Sequence, residues 1–160
     1  MHFGNYGTTI GNVKGGTDKT SYIGGKWNTK RCVSKAINQD KTSGKVDNNP
    51  GEGYCAPACC CVAYSTPGTK PGDWYLPSIG ELYQLYENKT AINEKRTAIK
   101  GSGFSAGVYW SSREKSSDFE YRVGLRNGNI DNYYKNDGIP YVLGFLALEV
   151  PSFNIPSFKP

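Results

Sequence analysis

The sequence predicts a single α+β domain in which helices come first and antiparallel strands follow. A helix-start signal at Ser78 precedes apolar side chains at helical spacing, and from Val108 the pattern changes to short aromatic and alternating segments. The length of 160 residues fits one domain of ordinary size. We therefore expect two main helices packed on a twisted antiparallel sheet with long loops.

Residues 1–54 form a loop-rich N-terminal part in this interpretation. They are rich in Gly, Asn, Thr, Lys and Ser, and two Gly-Gly pairs indicate turns. Short strands are predicted at 21–23 and 31–33. The polar stretch 38–53 is predicted to be a mobile loop, because it offers almost nothing to bury.

A short first helix is predicted over residues 56–64. Pro57 falls in its first turn, where a missing backbone N–H costs no hydrogen bond. The odd number of cysteines does not fit a complete disulfide framework, and the only histidine, His2, does not complete a zinc motif. We expect the thiols to act as small buried apolar groups. The five are Cys32, Cys55, Cys59, Cys60 and Cys61.

A second helix is predicted after Ser78, because Ser78 and Glu81 stand three apart as a capping box. Its apolar stripe consists of Ile79, Leu82, Leu85 and Tyr86. A short helical continuation is expected over 90–100, with Ile92 and Ile99 facing inward.

The second half of the chain is typical of strands. Residues 109–112 form a compact aromatic segment, and residues 121–126 alternate between apolar and polar positions. The pair Asn127-Gly128 supplies positive φ angles for a tight hairpin turn. The apolar run 141–150 predicts a central strand, and the Pro-rich residues 151–160 predict an extended tail.

The net charge of +5 comes from the N-terminal third, since residues 1–50 hold eight Lys/Arg and three Asp/Glu. A nucleic-acid interface usually combines clustered basic residues with aromatic ones, and the aromatic-rich region of this chain is neutral. No stretch approaches the roughly 20 apolar residues of a membrane span, and no signal-peptide pattern is present. The sequence therefore predicts neither a nucleic-acid partner nor membrane insertion.

The composition between Arg113 and Tyr141 favours binding over catalysis. One histidine gives no support to His-dependent chemistry, the carboxylates are dispersed, and no metal or cofactor motif is present. Rigid aromatic side chains mixed with Asn, Asp and Ser are typical of recognition surfaces. The same residue types also line the polar hairpins of antiparallel sheets, so composition alone does not choose between the two interpretations.

Several segments resemble a known family. GDWYLPSIGELYQLY at 72–86 and YWSS at 109–112, followed by Glu114, Lys135 and a closing FLAL, are similar to the C-terminal adhesin-type domain of bacterial collagen-like proteins. That family has a C-type-lectin-like fold, and the resemblance covers roughly residues 54–150. It implies one C-type-lectin-like domain over residues 1–150, with the tail outside it.

Within that family, the order of YWSSxE, a polar stretch rich in Asn and Tyr, then Asn-Gly, Lys and LAL is similar to the variable proteins of diversity-generating retroelements. In those systems, adenine-templated mutagenesis randomises ligand-facing codons on a fixed scaffold. Asn codons mutated at adenine cannot yield Lys, Glu, Gln, Met or Trp. From 116 to 144 the chain contains only Glu120 and Lys135 from that set. Lys135 matches a fixed position of the pattern, whereas Glu120 is an exception.

The resemblance implies a candidate variable region at 113–144, with Trp74 and Trp110 in the core. Tyr121, Val123 and Leu125 would be scaffold residues. The ligand-facing positions would be Arg113, Asp118, Phe119, Arg122, Gly124, Arg126, Asn129, Asp131, Asn132, Tyr133, Tyr134, Asn136, Asp137, Ile139 and Leu143. At Leu143-Gly144 the chain departs from the Arg-Pro common in relatives, which marks either two further diversified positions or an ordinary adhesin domain.

The expected function is recognition of a protein or surface glycan, at a bacterial cell or phage surface and within a larger surface assembly. A fixed adhesin or pilus-tip domain is the alternative, and an enzyme of the formylglycine-generating type, resting on the cysteines, is a third. Calcium-dependent sugar binding is not implied, because only scattered oxygen donors are present. These donors are Asp131, Asn132, Asn136 and Asp137.

Overall fold

A computed structural model describes residues 1–4, 6–20, 24–43 and 55–147, and the side chains of all of these except 38–43. Within these ranges the protein is mixed α+β, with three helices and two small antiparallel sheets. This confirms the α+β class predicted from the sequence, although the structure has one more helix than the two expected. The predicted strand at 21–23 and the predicted extended tail lie outside the described residues.

The helices are α1 (Gly25–Ser43), α2 (Ala56–Ala63) and α3 (Ile79–Ala98), and the strands are β1 (Trp74–Tyr75), β2 (Val108–Glu114), β3 (Phe119–Gly124), β4 (Ile130–Tyr134) and β5 (Phe145–Leu146). The three-stranded sheet has the order β2-β3-β4, and β1 pairs with β5. All of these strand pairings are antiparallel.

Apolar clusters cover both faces of the three-stranded sheet. On one face Trp110 packs with Phe3, Cys32 of α1 and Leu76. On the other face Tyr109 and Val123 pack with the α3 residues, chiefly Ile79 and Leu82. The sheet therefore lies between α1 and α3, and the N-terminal segment joins the α1 side.

The capping box predicted at the start of α3 is present. The backbone N–H of Glu81 donates to Ser78 Oγ at 3.3 Å, and the backbone N–H of Ser78 donates to Glu81 Oε2 at 2.6 Å. The other carboxylate oxygen of Glu81 accepts a hydrogen bond from the Tyr75 hydroxyl at 2.8 Å. The cap thus ties α3 to β1 as well as satisfying its own helix end.

Replacing Ser78 with alanine should destabilise the protein by about 1 kcal/mol, since the side-chain acceptor for the Glu81 amide is lost. Thermal unfolding followed by circular dichroism measures this loss. Thr90→Ala, at an exposed position of the same helix, should change stability by less than about 0.5 kcal/mol. Equal unfolding temperatures for Ser78→Ala and the unmodified protein would contradict a stabilising cap.

The strand predicted at 31–33 is wrong, because these residues lie in α1. This helix buries Asn28, Thr29, Cys32 and Ala36, which are polar or small. It continues through Ser43, so the predicted loop at 38–53 is also wrong for residues 38–43. The rest of that predicted loop, residues 44–53, lies outside the described residues.

Three further expectations are corrected by the structure. The segment predicted as a continuation belongs to α3 itself, which ends at Ala98 and leaves Ile99 80% exposed rather than inward. The run predicted as a central strand contributes only β5 within the described residues, and its side chains from 142 to 147 are half-buried. Trp110 is fully buried as expected, but Trp74 is only half-buried, with its ring edge-on to Tyr64.

The hairpin between β3 and β4 is longer than the tight turn predicted, since residues 125–129 connect the two strands. Gly128 has a φ of 73°. A Cβ at this position would also lie 2.6 Å from the Tyr86 ring, so glycine is required both by the backbone and by packing against α3. This contact fixes the hairpin to the helix.

Candidate ligand-binding surface

The candidate ligand-facing residues concentrate on β3 and β4, and β4 is an edge strand of the sheet. Residues directly opposite each other in an antiparallel pair share a face. Phe119 is opposite Tyr134, and Tyr121 is opposite Asn132. On the other face, Glu120 is opposite Tyr133, and Arg122 is opposite Asp131. The predicted site is therefore divided between the two faces of one sheet edge.

The first face carries a group of stacked rings, Tyr6, Phe119 and Tyr134, which we call the aromatic cluster. The ring centroids of Phe119 and Tyr134 are 4.5 Å apart, and those of Tyr6 and Tyr134 are 6.2 Å apart. Tyr134 is 47% exposed and Tyr6 is 49% exposed. Rings that support one another in this way offer contact area that loses little conformational entropy on binding.

The second face carries an ion pair that is satisfied within the protein. Arg122 Nε and Nη2 donate to the two carboxylate oxygens of Asp131 at 2.6 and 3.1 Å. The Arg122 guanidinium also lies 4.1 Å from the centroid of the Tyr133 ring. Tyr133 in turn packs against the core cluster that contains Trp110. Asp131, one of the four oxygen donors considered for calcium, is thus already engaged by a cation.

The other predicted positions are spread more widely. Gly124 is buried, which does not fit the ligand-facing position predicted for it, and Leu143 is half-buried in a separate cleft. Arg113, Asp118 and Asp137 are half-buried, whereas Arg126, Asn129, Asn136 and Ile139 are exposed in the loops that flank β4. The fifteen positions therefore do not form one continuous patch.

A buried ion pair lies beneath the sheet edge. Lys135 Nζ is 2.6 Å from Glu114 Oε1, and both side chains are almost fully inaccessible to solvent. The Glu114 carboxylate also accepts hydrogen bonds from the backbone N–H groups of Ile10 and Gly11, at 2.8 and 2.7 Å. Lys135 Nζ donates further to the Thr8 carbonyl at 3.2 Å. This Glu114–Lys135 pair joins β2, the end of β4 and the N-terminal segment.

Glu120 is a second buried carboxyl group beside this pair. Its Oε1 accepts a hydrogen bond from Asn12 Nδ2 at 3.1 Å, and Oε2 has no hydrogen-bond partner among the described residues. Burial, followed by the nearby Cys32 thiol, raises the pKa of Glu120 well above its ordinary value. The exception found in the sequence pattern is therefore a scaffold residue, and its neutral form suits a site without a countercharge.

Sequence reasoning missed two parts of this region. Tyr6 and Asn12 come from the N-terminal segment, more than a hundred residues away from their partners along the chain. No local pattern at these positions signals such a contact. Glu114 and Lys135 were signalled only by their place in the family pattern, which gave no reason for their spacing.

An apolar cleft of about 670 Å³ lies apart from the sheet edge. Its lining includes Cys61, Trp74, Phe104 and Leu143. Burial raises the pKa of the Cys61 thiol to about 12, and it also raises the pKa of Cys60. Both thiols are therefore protonated at neutral pH, unlike the low-pKa thiols that act as nucleophiles.

Among the described residues, no group of three His, Cys, Asp or Glu side chains is arranged to hold a metal ion. None of the three described helices is long and apolar enough to cross a bilayer. Neither the models of known protein families nor the curated proteins compared with this chain match it.

Proposed function

We propose that the protein is a ligand-binding module that recognises a protein or surface glycan through the β4 edge of its sheet. In this proposal the scaffold is C-type-lectin-like, and the protein is a variable protein of a diversity-generating retroelement. The observation that carries the proposal is the aromatic cluster, because it exposes stacked rings on a braced sheet edge. Exposed aromatic groups of this kind are typical of binding surfaces.

Polar groups beside the aromatic cluster support recognition. Asn132 is half-buried on the same face, and Asn136 is exposed just beyond β4. Amide side chains can both donate and accept hydrogen bonds, so they adapt to different partners. The combination supplies apolar contact area and directional contacts within one edge of the sheet.

The burial of Glu120 and Lys135 supports the retroelement part of the proposal. These are the two residues between 116 and 144 that adenine mutagenesis of Asn codons could not produce. Both are fully buried. The exposed positions in this region are thus all within the range of that mutagenesis, and the two residues outside it belong to the scaffold.

A fixed adhesin domain of the same fold is the second candidate, and the Arg122–Asp131 pair favours it. Two hydrogen bonds join these side chains across neighbouring strands. Independent randomisation of both codons would rarely keep such a matched pair. Relatives of a fixed adhesin should share the residues at these positions. A retroelement protein should instead have a neighbouring reverse transcriptase gene and a near-copy of the 3′ coding segment that differs at adenines.

A library experiment tests the binding function directly. Phe119, Asn132, Tyr134 and Asn136 would be randomised in the displayed full chain, and folded members would be selected on an immobilised test protein. We expect most members to stay folded, because surface substitutions usually change stability by less than about 0.5 kcal/mol. We also expect selected binders to differ from one another at these four positions.

A matched library at the buried positions Val123, Leu125, Glu120 and Lys135 should be mostly unfolded. The proposal fails if the surface library unfolds as often as this one. It also fails if folded members of the surface library never bind above background.

A further inference from the structure

Helix α1 presents a basic surface to solvent. Lys26, Lys30 and Arg31 are exposed, and Lys35 is half-buried. From Gly25 to Ile37 the helix has no acidic residue. Its buried positions recur on the opposite side, so the cations project away from the sheet.

Lys14 extends this surface from the N-terminal segment. Asn28 holds it in place by exchanging two hydrogen bonds with the Lys14 backbone, at 3.1 and 3.0 Å. Lys14 Nζ lies 5.5 Å from the centroid of the Trp27 ring, and the Arg31 guanidinium lies 5.4 Å from it. Trp27 therefore sits among cations on the outer side of the helix.

Two shallow depressions flank Lys30. One, of about 520 Å³, brings Lys26 and Lys30 beside Lys70 and also contains Asp73. Asp73 Oδ2 accepts a hydrogen bond from the Lys70 backbone N–H at 2.9 Å. The other depression, of about 350 Å³, includes Trp27, Arg31 and Lys35. We call Lys14, Lys26, Lys30, Arg31, Lys35 and Lys70 together the basic face.

Two apolar side chains are exposed on the same helix. Trp27 is 38% exposed and Ile37 is 49% exposed. Tryptophan is enriched where one end of a side chain is apolar and the other is wet, as at the surface of a bilayer. Cations that surround exposed apolar groups are typical of helices that lie on an anionic lipid surface.

We propose that the basic face is a docking surface for an anionic lipid bilayer, on which α1 lies parallel to the membrane plane. Charge complementarity attracts the cations to lipid phosphates, and Trp27 and Ile37 enter the interfacial layer. A nucleic acid fits less well, because two cations already approach the Trp27 ring and base stacking needs a free ring face. The aliphatic Ile37 has no role in phosphate binding.

The position of the basic face permits recognition at the same time. Cys32 of α1 packs on the sheet face that carries Trp110, whereas the aromatic cluster lies on the opposite face. A bilayer bound to α1 therefore leaves the aromatic cluster accessible. The docking surface does not depend on the identity of any ligand at the sheet edge.

Vesicle co-sedimentation of the full chain tests the proposal. Phosphatidylcholine vesicles with about 30% phosphatidylglycerol should bind the protein at low ionic strength, and salt should weaken the binding. The variant Lys26→Gln/Lys30→Gln/Arg31→Gln/Lys35→Gln should bind more than about a hundredfold more weakly, at roughly fivefold for each cation. Its thermal unfolding should match that of the unmodified protein, because the charges removed are at the surface.

A matched pair of double variants separates position from net charge. Lys26→Gln/Lys30→Gln should weaken vesicle binding by roughly 25-fold, whereas Lys95→Gln/Lys100→Gln, at exposed positions elsewhere, should leave it nearly unchanged. Trp27→Ala should weaken binding without altering the charge. Equal effects of the two double variants, equal binding to pure phosphatidylcholine, or tighter binding to duplex DNA at the same salt would each overturn the proposal.

Discussion

Lys135→Met is expected to lower the free energy of unfolding by about 3–5 kcal/mol. The substitution leaves the Glu114 carboxylate buried without its cation, and the two backbone N–H donors from Ile10 and Gly11 do not replace that charge. It also removes the hydrogen bond to the Thr8 carbonyl. Denaturant unfolding followed by fluorescence measures the loss.

The double variant Glu114→Gln/Lys135→Met should recover part of this stability, because it removes both buried charges together. Lys100→Met provides the matched control, since Lys100 is exposed, and it should change stability by less than about 0.5 kcal/mol. If Lys135→Met unfolded at the same denaturant concentration as this control, the ion pair would have no part in holding the sheet edge.

Glu120→Gln is expected to make the protein more stable than the unmodified chain at neutral and alkaline pH, by an amount that grows with pH. Burial raises the pKa of Glu120 above its ordinary value of 4.5, so the folded state binds a proton that the unfolded state releases. The stability contributed by this proton is complete below pH 4.5 and is lost as the pH rises through the folded-state pKa. Within that window the loss is about 1.4 kcal/mol per pH unit.

Unfolding measured from about pH 4 to about pH 9 for both proteins isolates this contribution, because other titrating groups cancel in the difference. Glu87→Gln, at an exposed position of α3, serves as the control and should give a difference that stays nearly flat. A difference between Glu120→Gln and the unmodified protein that does not change with pH would show that Glu120 is charged in the folded state.

Local signals explain which elements could be predicted. The helix α3 follows from its capping box, and α2 follows from Pro57 in its first turn. The strands β2 and β3 follow from aromatic and alternating segments. Each of these signals lies within a few residues of the element it specifies, so no knowledge of the tertiary structure was needed.

The helix α1 could not be predicted in the same way. Its buried side consists of Asn28, Thr29, Cys32 and Ala36, which give no apolar periodicity. Asn28 and Thr29 are satisfied instead by hydrogen bonds to distant groups, among them the Leu76 carbonyl and the backbone of Lys14. A helix whose core contacts are polar is invisible to a hydrophobic pattern.

The candidate surface was predicted only in part. The strands supplied Phe119 and Tyr134, and the structure shows that they stack. The alternation of residues 121–126 did not separate solvent from core, because both faces of the sheet are covered and Gly124 is buried. Burial on both faces removes the simple relation between even and odd positions.

The N-terminal segment can take its final place only late in folding. Ile10 and Gly11 reach their acceptor on Glu114 across more than a hundred residues of intervening chain, and Lys135, just after β4, completes the same site. Contacts of such long range close slowly, since the loop entropy is lost before the contact forms. On the ribosome, β4 must emerge before this end of the molecule can assemble, so helices α2 and α3 have time to form while the segment still awaits its partners.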